Sequence, residues 1–462
     1  MKVKKLILGL TLAAAVLLSG CSVLDSGSLL SLPELSPEQA GLLQMVNSVT
    51  SNSDWTVTAP FNGTDFSAMQ FVDFFGDGVE EAVCFFRNPA EMRLRVSVYS
   101  DTGPSGYSEF CTIETEGSGV DFADYADLDG DGALELILMV SYEHGTIYGA
   151  EVYRISNRSV GKVVLGSCAA YSVSDVTGDG REDIILARRG EGNEVVAPAA
   201  EKQDTAELFS WVDGVATKLG RVPILSGVPG SAVVKSGMLA RDMPACIMDV
   251  CVPVGDREAW VSNVLIWNGE FVNLSTLALD SAMSTARYSK LLCRDADFDG
   301  YIEIPMTAAM PSPSVPAEKY TVWYGFSPEY ALVQKSITYC FPGGNWYYIV
   351  PESWHGQVYV KTGSMEGLST VAFTADRNGR PNTLLTVYRV EKSASQTLPE
   401  ECFYLTGAGG YIYYALIGTP DELSPLEDEM YVRSELEVFE RFVTVDSLGE
   451  ALRASETMVI YE

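Results

Sequence analysis

Histidine is nearly absent from this chain: His144 and His355 are the only two in 462 residues. A histidine-built zinc site or a His-centred catalytic relay therefore has almost nothing to work with. Basic residues are scarce too, 31 Lys and Arg against 62 Asp and Glu, for a formal net charge of −31. An acidic excess of that size argues against nucleic acid and anionic lipid surfaces as partners. Beyond the N-terminus no stretch is long and apolar enough to span a bilayer. The nine cysteines contain no CxxC pair. Cys84, Cys168, Cys246, Cys251, Cys293, Cys340 and Cys402 sit in or beside apolar runs, as small buried hydrophobes do, which leaves one or two disulfides open. The G-x-S-x-G elbow, HExxH, the Walker loop and a strand-to-helix G-x-G-x-x-G are all missing. With 47% hydrophobic and 10% aromatic residues, the chain nevertheless builds substantial cores and is not a disordered tail.

What is present is one acidic loop, repeated four times. Residues 73–81 read DFFGDGVEE, 127–135 DLDGDGALE, 175–183 DVTGDGRED and 295–303 DADFDGYIE, each followed by an apolar run. Carboxylates at alternate positions of a tight, Gly-bearing turn converge on one hard cation. A further carboxylate, eight residues after the first, closes the shell from the start of the next strand. Oxygen-only ligation of this kind suits calcium far better than zinc or copper. The candidate ligands are Asp127, Asp129, Asp131 and Glu135 with the Ala133 carbonyl, and Asp295, Asp297, Asp299 and Glu303 with the Tyr301 carbonyl. Two thinner sets are Asp73, Asp77 and Glu81, where Phe75 replaces a ligand, and Asp175, Asp179 and Asp183, where Thr177 does. Asp and Gly favour tight turns in any case, so one such loop would decide nothing. Four in phase favour ligation, by two to four structural calcium ions that neutralise the carboxylates and pin each turn.

The loops begin at 73, 127, 175 and 295, so the last interval is about twice the others. Between them, residues 236–252 keep the apolar strand without the carboxylate ladder, as a repeat that has lost its loop would. Each unit also carries a later aromatic-aliphatic strand: 96–99, 152–155, 208–211, 264–267 and 322–324. Five units of roughly four short strands follow, the size of propeller blades, whose ring closure protects sheet edges.

These loops resemble the FG-GAP and VCBS repeats of calcium-binding, integrin-like β-propellers, over about 280 residues. The resemblance implies a mainly β fold, a propeller of about five blades with room for a sixth from N-terminal strands, spanning 55–335. Residues 336–462 then read as a small α+β domain. The N-terminus has three early lysines, an apolar stretch from Leu6 to Leu18 and the sequence Leu18-Ser19-Gly20-Cys21, which resembles the lipobox of bacterial lipoprotein signal peptides. That resemblance implies removal of residues 1–20 and a diacylglycerol on Cys21, leaving a mature chain of about −34 without Lys2, Lys4 and Lys5. Residues 21–54 then form a lipidated tether and a short helix, with Ser36-Pro37-Glu38-Gln39 as its start.

In the C-terminal segment Trp346, Tyr347, Tyr348 and Trp354 read as strand aromatics filling a core, with a sugar- or peptide-stacking platform as the competing role. The expected protein is an exported lipoprotein, tethered to the membrane by lipid and facing outside the cytoplasm. It carries no assignable catalytic residue, and its calcium-stabilised propeller binds a protein or glycan partner. An envelope polysaccharide-active enzyme and a passive envelope assembly component are the other readings.

Overall fold

A computed structural model describes residues 37–51, 53–103, 106–142, 146–156, 159–190, 203–279, 281–310, 319–341, 346–365, 367–377, 379–394, 396–419 and 426–444. The signal sequence, Cys21, the tether and His144 lie outside the described residues. The protein is mainly β, its strands grouped into six sheets of four or five. The chain divides into two compact units: residues up to Ala123 together with Ile155–Gly161, and Asp124–Arg154 together with Lys162 onward.

In the first unit the helix Pro37–Thr50 turns Leu42 and Val46 against Ala82, Cys84, Phe86 and Tyr99. Those residues belong to the first sheet, a meander of Met69–Val72, Glu81–Asn88, Arg93–Asp101 and Tyr107–Glu116. Asn62–Gly63 pairs in parallel with Phe122 and Ala123. Only glycine fits there: Gly63 has φ 123°, and a Cβ would stand 2.2 Å from the Ala123 carbonyl oxygen.

The second unit repeats the meander. Glu135–Ser141 pairs with Tyr148–Ser156. The third sheet runs Ala170–Ser174, Asp183–Arg188, Thr205–Val212 and Val215–Pro223. The fourth runs Val233–Ala240, Met243–Val254, Arg257–Trp267 and Phe271–Asn273. The fifth runs Ile304–Ala309, Lys319–Phe326, Leu332–Cys340 and Trp346–Ile349, with Phe442–Thr444 added at its edge. The sixth holds Val358–Met365, Leu368–Arg377, Arg380–Glu391, Phe403–Ala408 and Tyr411–Ile417. Consecutive antiparallel strands joined by short turns are what period-2 apolar runs separated by Gly, Asp and Asn dictate. In the fourth sheet the missing loop is a two-residue hairpin, Ala240 facing Met243 across Arg241 and Asp242, with Asp242 in the left-handed region at φ 58°.

The sequence boundary at 335/336 falls inside the strand Leu332–Cys340. Side chains of the fifth sheet share one core with the sixth: Tyr320, Tyr339, Trp346 and Tyr348 pack with Phe373, Leu385 and Tyr413. Trp346, Tyr347, Tyr348 and Trp354 are each no more than 2% exposed. Trp346, Tyr348 and Trp354 belong to that core and Tyr347, on the opposite strand face, is buried under the Arg294 guanidinium, so the stacking-platform alternative is overturned. All eight cysteines beyond Cys21 are free thiols.

Candidate metal centres in the acidic loops

The four loops share one backbone design. The first Asp accepts the amides of the fifth and sixth loop residues: Asp77 and Gly78 on Asp73, Asp131 and Gly132 on Asp127, Asp179 and Gly180 on Asp175, Asp299 and Gly300 on Asp295, at 2.8–3.1 Å. The fifth residue's carboxylate takes the amide two residues on, from Val79, Ala133, Arg181 and Tyr301. The sixth is glycine in every loop, with φ between 81° and 90°. The fourth position is left-handed as well: Gly76, Gly130 and Gly178 in three loops, and Phe298 at φ 64° in the last. A phenylalanine held there is a locally unfavourable conformation that the rest of the turn enforces.

The closing carboxylate behaves alike in all four. One oxygen of Glu81, Glu135, Asp183 and Glu303 accepts the amide of the second loop residue, from Phe74, Leu128, Val176 and Ala296. The other oxygen differs. Glu81 Oε1 meets the Ser100 hydroxyl at 3.4 Å. Glu135 Oε1, Asp183 Oδ1 and Glu303 Oε1 are buried and accept no hydrogen bond, and neither does Asp297 Oδ1. A buried carboxylate oxygen without a donor is costly, and a cation is what such an atom satisfies.

Ligand-bearing oxygens of Asp127, Asp129 and Glu135 lie within 4.8 Å of one another, as do those of Asp295, Asp297 and Asp299. These are the two loops with complete ladders. The other two do not gather such a group among the described residues. In the first, the third position is Phe75, whose ring packs on Phe110 at 5.6 Å instead. In the third it is Thr177, whose amide joins that of Val176 on Asp183 Oδ2 at 2.8 Å. An all-oxygen donor set around buried, unsatisfied carboxylates fits a hard divalent cation.

Burial is the first cause of the electrostatics here. Glu303 is pushed up to about 8 by removal from water and then by Asp297, Asp299 and Asp295, against the Ala296 amide. Glu135 rises to about 7 for the same reason, with the Leu128 amide opposing, Asp129 adding and Arg154 opposing. Asp183, Asp297 and Glu81 are also raised by burial, whereas Asp73 is lowered, chiefly by the Gly78 amide. The sign follows directly. Without metal, folded Glu303 keeps a proton up to about 8 that the unfolded chain releases near 4.5. In that window the folded state binds more protons, so its stability falls as pH rises. The chelated protein should therefore melt at a lower temperature at about pH 8 than at about pH 5, and calcium should bind more tightly over the same rise. A chelated melting temperature that climbs across this interval would contradict the buried proton.

Three cations meet the loops, two of them, Arg154 and Lys335, from outside the local pattern. Arg154 puts Nη1 on Asp129 and Nη2 on Asp131, with Nε 4.0 Å from Glu135 Oε1. Arg181 meets Asp179 at 2.6 Å, and Lys335 Nζ meets Asp299 at 2.8 Å. Hairpin register was the available signal for the first, because Arg154 faces Glu135 directly. Glu182, beside the third loop, is a further buried carboxyl, pushed up to about 7 by burial and by Asp124 and Asp175. His355, half-buried, sits with its Nε2 3.3 Å from the Val350 carbonyl oxygen.

Neither a family model nor a curated protein matches this sequence. Among solved structures, the core factor of S. cerevisiae is similar over 87% of this chain, at 8% identity and a TM-score of 0.26. The chain spans 64% of that protein's chain. A superposition so loose defines no shared fold.

Proposed function

We propose that this protein is an exported, lipid-anchored binding protein whose sheets are the blades of a calcium-stabilised propeller of the FG-GAP/VCBS kind. The carrying observation is the loop geometry: four turns of one design, each leading directly into a strand of its sheet, three of them with a closing carboxylate oxygen buried and unsatisfied. On this reading the sheets that follow the acidic loops would be blades, and the sheet formed by residues 358–417, whose last two strands exchange places, would lie beyond the five repeats counted in the sequence. Asp127, Asp129, Asp131 and Glu135 would hold one ion and Asp295, Asp297, Asp299 and Glu303 another. The ion supplies fixed positive charge to the turn, and the residues supply its oxygen shell. Lipid on Cys21 would hold the chain at the membrane. No helix among the described residues is long and apolar enough to cross it. A rigid β scaffold presenting many turns serves recognition of a protein or glycan, although the fold alone does not dictate this.

The test is affinity capture from solubilised envelope with the full chain as bait, in calcium and in chelator. The expected result is a protein or glycan retained in calcium and released by chelator. Sugar release by the purified protein, lost on substituting one carboxylate outside the loops, would replace binding with catalysis.

A further inference from the structure

We propose that Arg154 and Lys335 are built-in competitors for the metal, so that calcium enters the two complete loops by displacing a side-chain cation. This rests on the calcium reading and specifies how those sites are tuned.

Arg154 occupies the second loop's ligand cluster itself. Its guanidinium engages Asp129 and Asp131 and approaches Glu135, three of the four ladder carboxylates. A calcium ion about 2.3–2.6 Å from the same oxygens would stand inside the guanidinium's own contact distance. Two cations cannot share that space, so one must leave. Arg154 is free to swing out, its side chain being already 45% exposed.

The fourth loop reaches the same result by another route. Ile304 pairs with Tyr324, which puts Gly325 level with Glu303, the place Arg154 holds opposite Glu135. Glycine leaves room there. A Cβ on Gly325 would lie 3.0 Å from Lys335 Cε and 3.3 Å from its Cγ. The lysine stem crosses over this gap and delivers Nζ to Asp299.

The two thinner loops lack this arrangement. Ser100 meets Glu81 in the first, and in the third Ile184 pairs with Phe209, which puts Ser210 level with Asp183. Arg181 of the third loop touches a single carboxylate, Asp179, from within the loop. A cation from a later strand of the same sheet is thus supplied where the ladder is complete and self-repulsion without metal is greatest. The exchange keeps the metal-free turns folded and weakens their calcium affinity, two effects of one coupling.

Calorimetric titration of calcium chloride into the full chain tests this, comparing wild type with Arg154→Gln, Lys335→Gln and Gly325→Ala. Each of the first two should tighten one class of sites by about two- to fivefold, the scale expected when a partly exposed ion pair is removed from a competing site. Each should also lower the melting temperature in chelator. Gly325→Ala retains every charge and should tighten the fourth loop by crowding Lys335 away from Asp299. Binding in wild type with unchanged or weaker affinity in all three variants would overturn the competition and leave the calcium reading standing. Absence of calcium binding in every protein, wild type included, would overturn both.

Discussion

Asp297→Asn should abolish the calcium-dependent part of the fourth loop's stability and leave the chelated protein as stable as before, or slightly more so. Asp297 Oδ1 is buried without a hydrogen-bond partner, and burial raises the carboxyl. In the absence of metal that charge is a burden, and an amide of the same shape relieves it. On the proposed calcium reading the same oxygen is a ligand when the metal binds. Calcium at a hundredfold excess over its Kd stabilises the folded state by about 2.7 kcal/mol per site. For a unit of this size that is a rise in Tm on the order of 5 °C per loop. Asp127 is a poorer probe, because its two oxygens also hold the amides of Gly130, Asp131 and Gly132. Replacing it loosens the turn with or without metal. Thermal melts in calcium and in chelator decide the matter. An Asp297→Asn protein whose calcium-induced rise equals that of wild type would remove the fourth loop from the metal sites.

Arg287→Met should destabilise the second unit by about 3–5 kcal/mol, the usual cost of stripping one partner from a buried ion pair. Arg287 and Asp249 are almost fully enclosed, at 0% and 3% exposed. The guanidinium donates to Asp249 Oδ1 at 2.6 Å, to Ser262 Oγ at 3.0 Å and to the Thr285 carbonyl at 3.2 Å. Asp249 in turn accepts from the Ser262 hydroxyl at 2.6 Å and from the Cys293 amide at 2.7 Å. Methionine fills the volume but leaves a carboxylate buried among groups arranged for its charge. This network lies in the fourth sheet, where a plain hairpin replaces the acidic loop. The double variant Arg287→Met with Asp249→Asn should cost less than the sum of the two single changes, because each removes the other's partner. Urea unfolding of the four proteins measures the coupling, and strictly additive losses would mean the two side chains act independently.

The acidic loops were legible because everything that shapes them is local. Their amide-to-carboxylate bonds join residues at most seven positions apart, and Gly at the left-handed sixth position is written into the sequence. The short helix starting at Pro37, the strands around 96–99, 152–155, 208–211, 264–267 and 322–324, and the repeat without a loop were local in the same sense. Phe298 was less so, since nothing in the pattern DADFDGYIE says that a phenylalanine will be held at positive φ.

What the sequence by itself determined is therefore the unit: alternating strands, tight acidic turns and their spacing, all products of neighbouring residues acting on one backbone. Which side chain answers each charge was decided by the tertiary structure. Arg154 lies 25 positions from Asp129, Lys335 lies 36 from Asp299, and Arg287 lies 38 from Asp249. The burial of Trp346 and Trp354 was decided there too, by the shared core of the fifth and sixth sheets. The physical reason is range. Turn and strand preferences come from dihedrals and hydrogen bonds within a few residues, whereas counter-ions and cores depend on which strands pair in register and what their faces enclose.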